Sequence, residues 1–320
     1  MLTREYAIVA PARAGFAADV ADYLQRSPRQ LPSRYLYDAL GSALFDAICQ
    51  LPWYRVTRAE TALLHRHAAQ IVSGLSRPLN VAELGGGNGE KLAVLLERAG
   101  VRFRHVHLID ISEAALDHAQ SRLAEVPCSQ VTTFQGTYED GLSELTRVRR
   151  DGSWTVLFLG SNIGNFDPDA ARALLHQIHG ALEPGDALLL GADLVKPERE
   201  LLLAYDDPLQ VTAAFNRNLL QRINSELGGT FDLDAFQHRA VWNSHAGRVE
   251  MHLVCTRRHA VRVSAADLEL TFEQGESIWT ESSYKWNADA ILAEGRAAGF
   301  REAGQWIDED AGFALTRFMV

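Results

Sequence analysis

The chain reads as an α/β fold, a parallel sheet interleaved with helices and joined to a second α+β domain. Two observations predict it. Between about 79 and 193, short apolar runs alternate with helix-length amphipathic segments, the rhythm of repeated strand–helix–strand units. The run Leu79 to Ala82 then leads into Glu83-Leu84-Gly85-Gly86-Gly87-Asn88-Gly89-Glu90-Lys91, a glycine-rich turn between a strand and a helix. Glycine permits positive φ and brings bare backbone close to a ligand, and parallel sheets collect ligands at the carboxyl ends of their strands.

Strands are expected at Leu79–Leu84, His105–Asp110, Val131–Gln135, Thr155–Leu159 and Ala187–Asp193, with helices between them at Glu90–Ala99, Glu113–Glu125, Glu139–Arg147 and Pro168–Leu182. Glu183-Pro184-Gly185-Asp186 is a helix stop followed by a turn. A closing helix, Ala288–Ala298, and strands at Phe300–Trp306 and Phe313–Met319, turned through Asp308 to Gly312, look like a return to the same sheet. Residues 199–286 are then an insertion, with a helix at Leu209–Leu227, strands at His238–Asn243 and Arg248–Thr256, and further strands near Val261 and Leu268. The expected division is 61–198 plus 287–320 for the sheet domain and 1–60 plus 199–286 for the second domain.

At 320 residues the chain can bury a substantial core. Lys and Arg number 31 against 41 Asp and Glu, a formal charge of −10, which argues against nucleic acid and for a small-molecule partner. Cys49, Cys128 and Cys255 have no spacing for a metal or disulfide framework, so no metal is expected and the thiols are expected free in a reducing cytosol. The start of the chain carries Arg4 and Glu5 without an apolar segment of signal length, and no run approaches the ~20 residues of a membrane span. A soluble, cytoplasmic monomer is the expectation.

The glycine turn departs from the dinucleotide fingerprint, because the sixth position from Gly85 is Glu90. Glu-x-Gly-x-Gly-x-Gly resembles instead the first motif of S-adenosylmethionine-dependent methyltransferases, with another nucleotide site or a plain tight turn as the alternatives. Asp110 ends the second strand, where a carboxylate can accept both hydroxyls of an adenosine ribose; a helix-capping role is the alternative. Lys91, just inside the first helix, is placed to reach the carboxylate of the cofactor's methionine portion, or is a surface lysine. Thr137 and Tyr138 follow the third strand where an adenine ring would rest, with Tyr138 either on its face or in the core.

A larger set of strings narrows the resemblance: Leu36-Tyr37-Asp38, Leu51-Pro52-Trp53-Tyr54 with Thr57-Arg58, Phe158-Leu159-Gly160-Ser161-Asn162-Ile163-Gly164-Asn165, Gly191 to Lys196, Ala204-Tyr205-Asp206-Asp207, Ala213 to Asn218, Val249-Glu250-Met251 and Thr280-Glu281-Ser282-Ser283. From about residue 30 onward the chain resembles the histidine Nα-methyltransferases of ergothioneine biosynthesis. The resemblance implies a Rossmann-like seven-stranded methyltransferase sheet, S-adenosyl-L-methionine as cofactor, and a second domain that binds an amino acid. It implies cofactor contacts from Glu83, Gly85, Gly87, Lys91, Asp110, Thr137, Tyr138 and Gly160.

On the substrate side it implies that Tyr54 and Asn165 hold the amino group and carboxylate and orient the reacting amine, with Tyr37 and Tyr205 also toward the carboxylate. Glu281 and Ser283 would hold the imidazole, whose N–H groups suit a carboxylate acceptor, and Phe215 and Met251 would pack on the ring. Read without the resemblance, Glu281 is a solvated strand residue, Met251 core filling, and Tyr54 and Tyr205 amphipathic residues at the core edge. Two positions depart from the family pattern: Thr137 stands where Asp is common, and Asn162, bordering the expected amine site, stands where Thr is common. Relatives of this architecture methylate other amino acids or indoles, which are the alternative substrates. A binding module that holds the cofactor without turnover is the alternative from outside the enzyme class.

Overall fold

The strand Leu79–Leu84 is buried at every position, as a strand covered on both faces must be. It lies inside a seven-stranded sheet of order Ala303–Asp308, Phe313–Met319, Ala187–Asp193, Ser153–Phe158, Leu79–Leu84, Phe103–Asp110, Val131–Gln135. The last five run parallel, and Phe313–Met319 is antiparallel to both its neighbours. The computed structural model describes residues 12–126, 128, 130–149, 151–301 and 303–320. These fall into two units, one of Val56–Val195 with Lys285–Val320, the other of residues 12–55 with Lys196–Tyr284. Residues 1–11, placed by the sequence reading in the second domain, lie outside the described residues.

The sheet unit follows its sequence signals closely. Ser112, Thr137 and Asp167 cap the helices Glu113–Leu123, Tyr138–Val148 and Pro168–Ala181, each side chain accepting from the backbone N–H three residues on. Trp154, Phe158, Leu174, Leu175, Ile178, Leu188, Leu190, Ile291 and Phe318 belong to one buried cluster. The expected strand at Phe300–Trp306 is corrected to Ala303–Asp308. Phe300 instead closes the helix Ala288–Ala297, its N–H on the Gly295 carbonyl at 3.1 Å and its ring 5.4 Å from that of Phe318. The expected Thr155–Leu159 begins earlier, at Ser153, and ends at Phe158, which leaves Leu159 to enter the loop. A helix the sequence reading did not assign, Val56–Ile71, packs on the helix Glu90–Arg98 and on the C-terminal strands.

The second unit holds a four-stranded sheet of order Arg29–Gln30, Ser277–Tyr284, Arg248–Cys255, Phe236–Asn243, and a separate hairpin of His259–Val263 with Leu268–Phe272. The helix Val211–Leu227 packs on the strands Phe236–Asn243 and Arg248–Cys255, and the helix Ala39–Gln50 packs on it in turn. A short helix, Glu198–Tyr205, precedes it. Among the described residues no helix is long and apolar enough to cross a membrane.

One polar feature interrupts the core of the first sheet. His105 and His107, on the same face of their strand, both meet the Thr132 hydroxyl of the next strand, at 2.8 and 2.7 Å, and the His105 ring lies 5.5 Å from Trp154. Burial lowers the His107 pKa to about 4, with His105 adding to the shift, against an ordinary value of about 6.5. The folded form resists a proton that the unfolded chain accepts. Its stabilising contribution is therefore complete above about pH 6.5 and is lost as pH falls toward 4. Between pH 7 and pH 4.5, urea titration should show the native chain losing on the order of 2 kcal/mol more stability than His107→Gln; equal losses would contradict this.

Candidate active site

The strand order reverses between Leu79–Leu84 and Ser153–Phe158, so the loops that leave these two strands flank a topological switch point, the usual ligand crevice of such sheets. The two loops touch. The Asn162 amide donates to the Gly85 carbonyl at 3.3 Å. Gly85 (φ 67°) and Gly160 (φ 76°) both need the left-handed region. A Cβ on Gly85 would stand 2.7 Å from the Tyr138 hydroxyl and one on Gly160 3.0 Å from Lys91 Nζ.

Asp110 braces the glycine turn. One oxygen accepts from Gly87 N at 3.3 Å and the other from Ser112 N at 2.9 Å. Burial raises its pKa, against the opposing pull of those backbone donors and that of Ile111. Glu83 is buried below the turn, and a Cβ on Gly86 would overlap its carboxyl group. Burial pushes its pKa up to about 8, assisted by Glu60 and Asp110 and opposed by Lys91. Its Oε2 has no hydrogen-bond partner among the described residues. Tyr138 packs at 5.2 Å on Phe158 and 6.1 Å on Phe166. The Thr137 hydroxyl caps its helix, accepting from Asp140 N at 3.2 Å and donating to Asp140 Oδ2 at 3.0 Å.

Lys91 pairs with a residue that sequence reasoning missed. Its Nζ lies 2.7 Å from Oε2 of the fully buried Glu60, whose two oxygens also take the Gly160 N–H at 3.0 and 2.8 Å. Gly191 has no side chain because a Cβ there would overlap Glu60 Oε1. A signal for Glu60 exists in the sequence: it lies among Val56, Ala59, Leu63, Leu64, Ala68 and Ile71 on the buried stripe of the helix, where a charge requires a partner.

Asn162 and Asn165 open and close a short 3-10 turn that enters through Ser161, a non-glycine residue at φ 59°. Such strain persists where surroundings hold it. Here the Ser161 hydroxyl accepts from Asp193 N at 2.9 Å, and Asp193 is paired with the buried Lys285 at 3.0 Å. Asn162 thus rests on the glycine turn.

In the second unit, Tyr37, Phe45, Tyr54, Tyr205 and Phe215 form a chain of rings with centroids 5.5 to 6.4 Å apart. Phe45 was not foreseen. The Tyr205 hydroxyl donates to Ser283 Oγ at 2.7 Å. Ser283 and Glu281 stand on Ser277–Tyr284, whose register with Arg248–Cys255 slips by one residue between Trp279 and Glu281. Before the slip, buried Ile278 faces buried Leu253; after it, Glu281 faces Met251 and Ser283 faces Val249, all four buried. In strict alternation Glu281 would oppose Glu250 on the other face. Glu281 is 9% exposed, which corrects its unaided reading as a solvated residue.

The two glycine cradles and the Asp110 carboxylate, set at the switch point, suit a ligand that brings hydroxyls such as those of a ribose against bare backbone. Among the described residues no cluster of His, Cys, Asp and Glu could hold a metal ion. The chain is 41% identical to a histidine N-alpha-methyltransferase of Mycobacterium tuberculosis, over 93% of this chain and 92% of that protein. It is 40% identical to the protein of that name from Mycolicibacterium smegmatis, with the same coverage. An ergothioneine biosynthesis protein 1 of Schizosaccharomyces pombe is 31% identical over 81% of this chain and 35% of its own length. A family model described as "Histidine-specific methyltransferase, SAM-dependent" matches residues 16–320, and the chain belongs to that family.

Proposed function

We propose that this protein methylates the α-amine of L-histidine in successive steps to Nα,Nα,Nα-trimethylhistidine (hercynine), as in ergothioneine biosynthesis. The observation that carries the reading is the bulged strand, which sets a carboxylate and a hydroxyl, Glu281 and Ser283, on one buried face with Met251. These are acceptors for imidazole N–H groups. Its similarity to the two mycobacterial enzymes supports the same substrate. A cytoplasmic monomer is the proposed setting.

Glu83, Gly85, Gly87, Lys91, Asp110, Thr137, Tyr138 and Gly160 are the residues proposed to hold S-adenosylmethionine. When bound, the cofactor supplies an electrophilic methyl group on its sulfonium. Asp110 takes the ribose hydroxyls, and Lys91, fixed by Glu60, takes the methionine carboxylate. Thr137 is already engaged with Asp140, so its part in adenine recognition is through the turn that it caps. Tyr54 and Asn165 orient the substrate amine, Tyr37, Tyr205 and Asn162 border its amine and carboxylate end, and Phe215 and Met251 pack on the ring. The amine reacts through its lone pair, so no protein nucleophile is needed. Alignment and water exclusion supply the catalysis, and small misplacements cost ~100-fold in rate.

A turnover screen of the proteinogenic amino acids with S-adenosylmethionine tests the substrate: histidine should be the preferred acceptor, and preference for tryptophan or another amino acid would overturn the reading. Asp110→Ala should weaken S-adenosylhomocysteine binding by about 1.5–3 kcal/mol, the scale of hydrogen bonds to a charged group; unchanged calorimetric affinity would reject its role. Glu281→Ala should lose histidine turnover far more than cofactor affinity, whereas parallel loss of both would mark a structural residue. In single-turnover experiments Tyr54→Phe should slow methylation of histidine more than that of dimethylhistidine, which has fewer N–H donors. Equal slowing would deny the Tyr54 hydroxyl its place on the amine.

A further inference from the structure

His238 is a buried histidine in the strand Phe236–Asn243, and both its ring nitrogens are engaged. Nδ1 lies 2.9 Å from Asn216 Nδ2, and Nε2 lies 2.8 Å from the backbone carbonyl of Tyr205. Asn216 Nδ2 also meets the His252 carbonyl at 3.2 Å. A carbonyl only accepts, so the amide must turn its NH2 to that side. Nδ1 is therefore an acceptor, and the ring proton sits on Nε2, which donates to Tyr205.

The neutral imidazole satisfies both contacts; a second proton would set a donor on Nδ1 against the Asn216 amide. Burial lowers the pKa of His238, with Arg217 acting in the same direction and the Tyr205 carbonyl, Asp206 and Asp207 opposing. The Tyr205 carbonyl is one of the end carbonyls of the helix Glu198–Tyr205, which lack partners within their helix. His238 supplies the donor it needs.

What the imidazole joins gives it a purpose. Tyr205 carries the hydroxyl bonded to Ser283. Asn216 follows Phe215 on its helix, and His252 follows Met251 on its strand. We propose that His238, neutral and protonated on Nε2, is a positioning residue for the histidine substrate, because it ties together the backbone at Tyr205, the helix turn beside Phe215 and the strand beside Met251. This rests on the reading of Tyr205, Phe215 and Met251 as substrate contacts.

The test compares His238→Leu, His238→Gln, Asn216→Ala and Tyr205→Phe in the full chain. Calorimetry gives the affinities for S-adenosylhomocysteine and for histidine in its presence, and a thermal melt checks folding. His238→Leu should weaken histidine about 10-fold, the equivalent of one hydrogen bond of about 1.4 kcal/mol, with S-adenosylhomocysteine affinity changed less than about twofold. His238→Gln should restore most of the loss, since a side-chain amide offers both donors and an acceptor. Asn216→Ala should weaken histidine selectively even if the leucine variant fails to fold. Unchanged histidine affinity in the folded leucine and alanine variants, parallel loss of both ligands, or no rescue by glutamine would overturn the proposal. If Tyr205→Phe binds histidine normally, the underlying substrate reading fails, and the role of His238 fails with it.

Discussion

The carboxylate of Glu60 is the contact on which the first unit turns. A buried charge is tolerated only when it is paired and hydrogen-bonded. Glu60 meets that condition with Lys91 Nζ and with the Gly160 N–H, while Gly191 leaves it room. Three segments are fixed at one point: the helix Val56–Ile71, the helix that follows the glycine turn, and the loop after Ser153–Phe158. Removing one partner of such a pair costs about 3–5 kcal/mol, well above the ~1 kcal/mol of a surface ion pair. Lys91 thereby comes to rest against Gly160, and Asn162 closes the same turn from the Gly85 side.

The second unit solves a different problem, how to set polar groups on the inner face of a sheet. Its device is one extra residue. The bulge at Thr280 rotates Glu281 and Ser283 onto the face of Val249 and Met251, and the Thr280 hydroxyl donates to the Met251 carbonyl at 3.0 Å. Ser283 is then held by Tyr205, and Tyr205 by His238. Aromatic contacts continue from Tyr205 through Tyr54 and Phe45 to Tyr37 and Phe215. Polar acceptors beside a wall of rings suit a planar group with N–H donors, such as the imidazole of the proposed substrate.

Legibility in the sequence followed the distance between cause and effect. Leu79–Leu84, Val131–Gln135, Ala187–Asp193 and Phe313–Met319 match their expected bounds because short apolar runs between turn residues are local signals. The glycine turn and the place of Asp110 at the end of the next strand were legible for the same reason, since a strand-to-helix turn and the next strand's end have a known spacing. Glu60 was not, because Gly160 lies 100 residues along the chain. Its place on an apolar helix stripe was the available clue. The inward orientation of Glu281 was hidden because a bulge shifts alternation by one, and Thr280-Glu281-Ser282-Ser283 has no apolar residue to reveal the phase. The strand after Ala298 was placed too early because Phe300 looks like a strand residue but serves the helix end.

In the proposed reaction the methyl acceptor is the α-nitrogen of histidine, and Glu281 and Ser283 hold the imidazole. The most direct measurement is NMR of the product formed from histidine and methyl-13C-labelled S-adenosylmethionine. Label should appear on the α-nitrogen alone, accumulating through mono- and dimethylated species to the trimethylammonium. Label on either ring nitrogen, or no labelled histidine at all from active enzyme, would contradict it.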